Sequence, residues 1–250
     1  MGALTKAEIE AEVARLGPFH HGVELPFGVY TQDPKRARGK GELDRVRDLE
    51  VGAFPAILEA FGGTLAGRSV LDVGCNCGGF AVLAARHGAS RVLGIDTVAR
   101  YIEQARFIKR ALELEALEFR EMAIEEVEPA ATGSFDLTLC FGVLFHLENP
   151  VLALRRLAAV TERVLAVDTN LNQARRPVWQ QTIVGGPSPD NPSTSLWRAP
   201  GGAVQLMPSA AALEQLLGFL GFREVRRLPP HPEQARRYHK GTRATFLALR

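Results

Sequence analysis

LDVGCNCGGF, residues 71–80, decides how this chain is read. The run Ser69–Gly74 (SVLDVG) is apolar up to an aspartate and a glycine, the pattern of a buried strand opening into a tight loop. GFAVLAARH, residues 79–87, follows as a helix and stops at Gly88. Gly74 would let a ligand approach the backbone, and Gly78 would permit a positive φ or close helix–strand packing. The free N–H groups at the helix start suit a carboxylate or phosphate. The bland alternative is an ordinary βα turn that happens to be rich in glycine.

The rhythm continues outward. Arg91–Asp96 reads as a second strand and Val98–Leu114 as a helix with Ile102, Ala105 and Ile108 on one face. Leu117–Ala123, Phe135–Phe141 and Arg163–Asp168 read as further strands, and Pro150–Val160 as a helix between the last two. Ser209–Leu220 is a late helix closed by Gly221, and Thr242–Leu249 a final strand. Strands alternating with helices predict an α/β fold with a parallel sheet. Two stretches break the pattern: Gly17–Lys40, which ends in the basic KRARGK, and Asn170–Met207, rich in Pro, Gly, Asn and Ser. Both read as cover over a site.

Composition narrows the classes. The 250 residues are 46% hydrophobic and 23% charged, too apolar for a disordered chain. A formal charge of +2 argues against a dedicated nucleic-acid binder. No run approaches the ~18 apolar residues that span a bilayer. The N-terminus carries acids where a signal peptide would be apolar, and the three cysteines cannot pair completely, so a reduced cytoplasmic setting is expected. Cys75 and Cys77 have no second pair or histidine cluster at ligand spacing, whereas zinc takes about four ligands. No metal is expected.

Asp96 ends the second strand 24 residues after Asp72, where an acidic side chain meets the two hydroxyls of a nucleoside ribose. It also suits a helix N-cap, and both roles can coexist. The loop reads D-x-G-x-x-x-G, not the G-x-G-x-x-G of a dinucleotide site, which favours a different adenosine cofactor.

Together LDVGCNCGGF, GID, the step at Ile124–Glu125 and FDLTLCFGVLFHLENP resemble the class I S-adenosylmethionine-dependent methyltransferases over residues 68–168. The resemblance implies a Rossmann-like α/β fold with a mostly parallel seven-stranded sheet in the order 3-2-1-4-5-7-6, its last strand antiparallel, and helices on both faces. It implies a single domain over 1–250: an N-terminal lid segment (1–50), a cofactor-binding core (51–169), an insertion over the active site (170–207), and a C-terminal helix and strands (208–250). The cofactor would be S-adenosyl-L-methionine, leaving as S-adenosyl-L-homocysteine. Asp72, Gly74, Cys75, Asn76 and Gly78 would carry its methionine moiety, Asp96 and Thr97 the ribose, and Ala123, Ile124 and Glu125 the adenine. Phe141 and Gly142 would border the sulfonium.

Outside the core, RLGPFHHGVEL, GVLFHLENPVLALRRL, MPSAAALEQLLGFLGF and RATFLAL are similar in order and spacing to the tRNA wobble-uridine carboxymethyltransferases. Those enzymes use a lysine and a tyrosine for the extra carboxylate of their donor, and Leu16 and Phe145 stand at those positions here. A carboxylate facing them would lose a charge-assisted hydrogen bond, about 2 kcal/mol or more. Only 15 residues precede Leu16, where the tRNA enzymes carry a long extension. Ordinary S-adenosylmethionine and a small-molecule acceptor are therefore expected, with oxygen the favoured target atom, nitrogen and carbon still open, and tRNA modification as the alternative. A homodimer stays open.

A hydroxyl acceptor needs a base, and histidine serves near neutral pH. His146 follows the fourth strand at the carboxyl edge where such sheets bind ligands, and His20 and His21 lie in the N-terminal cover. Each also reads as a structural or solvated histidine. Candidate acceptor contacts are Phe145, Asp168, Asn170, Trp179, Trp197 and Arg198. Aromatic side chains can stack on a substrate ring or simply anchor a loop.

Overall fold

The computed structural model describes residues 3–32, 45–184 and 203–250. KRARGK, Trp197 and Arg198 lie outside them. The fold resolves into two compact units, 1–122 with 233–235 and 123–232 with 236–250.

In the first unit, α1 (Lys6–Leu16) starts at a reciprocal cap. The Thr5 hydroxyl accepts from the Glu8 N–H at 3.4 Å, and the Glu8 carboxylate accepts from the Thr5 N–H at 2.8 Å. Helices α2 (Arg45–Gly52) and α3 (Phe54–Ala60) follow, neither of them expected from the sequence. The βα rhythm then runs β1 (Ser69–Val73), α4 (Gly79–Arg86), β2 (Arg91–Asp96), α5 (Ala99–Ala111) and β3 (Leu117–Glu121). β1 pairs parallel with β2, and β2 with β3. Val70–Val73 and Val92–Ile95 are buried without a break, as strands covered on both faces must be, and this is why they read as continuous apolar runs. A β-carbon at Gly94 would come within 2.6 Å of the Phe119 ring, so the glycine makes room for a β3 side chain.

The second unit opens with a 3₁₀ turn at Ile124–Glu126 and the short α6 (Pro129–Thr132). β4 (Phe135–Phe141) ends in another 3₁₀ turn, Leu144–His146, and α7 (Pro150–Val160) starts where Asn149 Oδ1 accepts from the Leu152 N–H at 3.1 Å. Next come β5 (Thr161–Asn170), β6 (Trp179–Val184), β7 (Ala203–Pro208), α8 (Ala210–Phe219), β8 (Glu224–Arg227), α9 (Arg236–His239) and β9 (Arg243–Leu249). β4 and β5 are parallel, and β9 runs antiparallel to both β5 and β8. The seven-stranded sheet has the order β3-β2-β1-β4-β5-β9-β8, the expected topology with β8 and β9 as its sixth and seventh members.

One expectation needs correction. The stretch 170–207 is not simply a covering loop. β5 continues through Asn170, and β6 pairs antiparallel with β7, Trp179 opposite Pro208 and Gln180 opposite Met207. Trp179 therefore sits on a strand. Gln180, Gln181, Thr182 and Ile183 are all exposed, so no buried face writes an alternating pattern into the sequence. β8 (EVRR) is hidden for the same reason, since it offers no apolar run. Among the described residues no helix is long and apolar enough to cross a membrane.

Candidate functional site

In the first unit, the loop after β1 folds back on the end of β2. The Cys75 N–H donates to the Ile95 carbonyl at 2.9 Å, and the Gly78 N–H to the Cys75 carbonyl at 2.8 Å. Gly74 and Gly78 take positive φ values of 63° and 84°, where a β-carbon would strain the backbone; at Gly78 it would also lie 2.8 Å from the Phe119 ring. The Asn76 N–H donates to Asp96 Oδ2 at 2.9 Å, and the Val98 N–H to Asp96 Oδ1 at 3.0 Å. Asp96 thus braces the loop and the backbone just ahead of α5 at once. Burial raises its pKa, and the amides of Val98, Asn76 and Thr97 pull the other way. A carboxylate offers about four acceptor positions, so two amides leave it able to take a diol. Thr97 follows it, half-buried.

Asp72 is different. It is 1% exposed, and neither carboxylate oxygen has a hydrogen-bond partner of ordinary geometry. Burial pushes its pKa up to about 8, with a further push from Asp96, while the nearby Ala81 amide opposes the shift. Such a carboxyl suits a ligand's cationic group or hydrogen-bond donor. Tyr101, which no sequence motif marks, stands near Asn76 and Asp96; burial raises its pKa and the Asp96 charge adds to that. Cys75 and Cys77 are buried free thiols. Burial lifts Cys77 to about 12 and Cys75 well above its usual value, so both are neutral packing groups at pH 7. Among the described residues no group of three or more His, Cys, Asp or Glu is arranged to hold a metal.

The N-terminal segment is fastened to this unit. Gln104 on α5 donates to the carbonyls of Leu16 at 2.8 Å and Pro18 at 3.0 Å, and Arg100 donates to those of Leu16 and Gly17. His21 is 3% exposed, and its Nδ1 accepts from the Gly79 N–H at 3.2 Å, capping α4. Accepting there places the neutral ring's proton on Nε2. His20 is exposed, with its ring 5.6 Å from that of His21.

The second unit holds a buried polar cluster at the end of β5. Asp168, 0% exposed, accepts at Oδ1 from Arg243 Nε at 2.6 Å; at Oδ2 it accepts from Tyr238 at 3.1 Å and Thr245 at 2.9 Å. Arg243 Nη1 donates to Asn170 at 3.4 Å, and the guanidinium lies over the Phe145 ring, 5.7 Å from its centre. The sequence named Asp168, Asn170 and Phe145 but missed Arg243, which brings them together. Beside this cluster, Phe145 and His146 have ring centres 4.0 Å apart, and His146 is half-buried. The amide nitrogen Nε2 of Gln205 on β7 lies 3.4 Å from His146 Nδ1. Phe141 ends β4, buried, and Gly142 has φ 76°. Ile124 is buried in its 3₁₀ turn, between Ala123 and Glu125. Trp179 is half-buried on β6.

Known proteins agree with this architecture. Residues 65–175 match the family model described as "Methyltransferase domain". The chain is 34% identical over 93 residues to a ubiquinone biosynthesis O-methyltransferase of Acinetobacter baylyi, covering 37% of this chain and 39% of that protein. A protein of the same name from Neisseria meningitidis is 31% identical over 124 residues, covering 49% and 50%. The chain thus spans half or less of the length of these two relatives. Among solved structures, the N-terminal domain of EvdMO1 with SAH bound has a TM-score of 0.69 at 21% identity, covering 99% of this chain and 98% of that one. Magnesium protoporphyrin IX methyltransferase from Synechocystis PCC 6803 with bound SAM has 0.55 at 20%, covering 86% and 88%. The [4+2]-cyclase SpnF has 0.57 at 18%, covering 100% and 97%. The chain carries a match to a methyltransferase domain over residues 65–175 and has the α/β Rossmann-like methyltransferase fold.

Proposed function

We propose that this chain is an S-adenosylmethionine-dependent methyltransferase that methylates a small molecule at oxygen. The observation that carries the proposal is the β1 loop: two positive-φ glycines, a buried aspartate without a partner, and Asp96 holding the loop at the end of β2. These residues fit the group. Asp96 would take the ribose diol with Thr97 beside it; the loop from Gly74 to Gly78, with Asp72, would take the methionine end, whose ammonium suits a buried carboxylate. When bound, S-adenosylmethionine supplies a methyl group on a positively charged sulfur. Assigning Ala123–Glu125 to the adenine, and Phe141 with Gly142 to the sulfonium, belongs to the same proposal. The fastening of Leu16–Pro18 and His21 makes the N-terminal segment a fixed wall in this reading.

His146 is the base we favour. His21 has its Nδ1 lone pair committed to Gly79, and His20 is exposed. His146 would accept the acceptor's hydroxyl proton, with Phe145, Asn170 and Trp179 as candidate contacts. Trp197 and Arg198 remain candidates from the sequence. Asp168 would act through Arg243, which it holds, more than by touching substrate. The name of the curated relatives supports a small acceptor and oxygen as the target atom. The [4+2]-cyclase among the fold neighbours makes turnover the deciding test. Methyl-labelled S-adenosylmethionine should transfer label to members of a phenol and alcohol panel. Label on tRNA alone would replace the acceptor assignment, and cofactor binding without transfer to any acceptor would remove the enzyme reading.

A further inference from the structure

We propose that Asp72 makes the site specific for the amino-acid end of its cofactor by exchanging a proton for the incoming ammonium; this rests on the methyltransferase reading above. The carboxyl is neutral in the free protein and ionises as the cation arrives, and its proton goes to solvent. Three features of the first unit carry the inference. Asp72 is 1% exposed, and neither of its oxygens has a hydrogen-bond partner of ordinary geometry. It lies opposite Gly94 of β2, so the neighbouring strand offers it no side chain at that position. It stands two residues before Gly74, whose φ of 63° opens the loop assigned to the methionine end.

An ionised carboxylate without a partner is far costlier to bury than the neutral acid, because the interior replaces little of its lost hydration. The nearby Ala81 amide on α4 eases that cost only in part. The charge that bears on Asp72 is Asp96, of the same sign, and the carboxyl's pKa is pushed up to about 8. The other charged and titratable groups on the surrounding elements bring no cation to it among the described residues. In the loop, Cys75 and Cys77 are neutral thiols. At the start of α4, His21 Nδ1 accepts from the Gly79 N–H, which takes a neutral imidazole; Arg86, in the last turn of that helix, donates to the Glu24 carbonyl. On β2, Arg91 stands opposite Ser69, at the far end of the strand. On β4, next to β1 in the sheet order, the titratable residues are Asp136 and Cys140. Tyr101 on α5 lies toward Asp96. A ligand that brings its own cation therefore meets a group that ionises only for it. An adenosine compound without the amino group leaves the carboxyl neutral and gains nothing there. The exchange also ties affinity to pH. Below about pH 8, each pH unit removed weakens binding about tenfold, because one proton must leave for every cofactor bound.

The test is calorimetry of the full chain with two probes, S-adenosylmethionine and methylthioadenosine. The second keeps the adenine and ribose and lacks the amino-acid end. Titration at pH 7 in two buffers of different ionisation enthalpy counts the protons released. Wild type should release about one proton per S-adenosylmethionine bound and none with methylthioadenosine. The dissociation constant for S-adenosylmethionine should fall about tenfold from pH 6 to pH 7, and that for methylthioadenosine should stay level. Asp72→Asn should bind S-adenosylmethionine without proton release and with the same affinity at both pH values. Its preference for S-adenosylmethionine over methylthioadenosine at pH 7 should drop at least tenfold. Binding of S-adenosylmethionine to wild type without proton release overturns the exchange and leaves the methyltransferase reading intact, as does release that persists in Asp72→Asn. Equal release with both probes assigns the proton to Asp96 at the ribose and overturns the exchange too. Failure of wild type to bind either probe removes the methyltransferase reading itself.

Discussion

Replacing Asp72 by asparagine should make the protein's stability less sensitive to pH. An unfolded aspartate has a pKa of 3.8, and burial pushes that of Asp72 up to about 8. Between those values the folded chain holds a proton that the unfolded chain has released. Stability from this group is therefore undiminished below the unfolded pKa, falls as pH rises, and levels off above the folded pKa. The slope is about 1.4 kcal/mol per pH unit, so the aspartate costs about 4 kcal/mol at pH 7. Asparagine keeps the shape and does not titrate. Urea unfolding of the cofactor-free proteins at pH 5, 6 and 7 compares them directly, because every other titrating group is shared. The stability of Asp72→Asn relative to wild type should rise by about 3 kcal/mol from pH 5 to pH 7. A difference that stays constant over that range would show that Asp72 ionises alike in both states.

Other residues give independent tests. Asp96→Ala should weaken S-adenosylmethionine binding at least tenfold, about 1.4 kcal/mol, by calorimetry; unchanged affinity in a folded variant removes the ribose assignment. Arg243→Met leaves Asp168 buried without its cation and should cost about 3–5 kcal/mol in denaturant. A loss below about 1 kcal/mol would show that Tyr238 and Thr245 suffice for Asp168. Gly79→Ala would set a β-carbon 2.6 Å from Val46 and 2.8 Å from His21 Nδ1, and should cost about 1–3 kcal/mol by forcing the N-terminal segment aside. A thermal midpoint equal to wild type would contradict the packing of His21 against α4.

The parallel core was legible because strands buried on both faces write unbroken apolar runs, and because a glycine-bearing loop follows β1. The Asp72–Asp96 spacing was legible for the same reason: both residues stand at the ends of those runs. What the sequence concealed depends on contacts distant along the chain. His21 reads as a loop histidine until the fold sets it on Gly79, 58 residues away. Arg243 stands at the head of a terminal strand with no motif around it to mark it, yet it is 2% exposed and paired with Asp168. Gln205 sits in a stretch whose glycines and prolines suggest loop, and its hairpin buries too little apolar surface to leave a period. Helices α2 and α3 have short, weak patterns, and α3 has no side-chain cap hydrogen bond to mark its start.

The central claim is that the loop after β1 and Asp96 bind S-adenosylmethionine. Native mass spectrometry of the purified protein, titrated with S-adenosylmethionine and separately with its carboxylated form, tests this most directly. The account predicts a one-to-one complex with S-adenosylmethionine or S-adenosylhomocysteine and no gain from the added carboxylate. Failure to bind either cofactor, or strong selection of the carboxylated form, would contradict it.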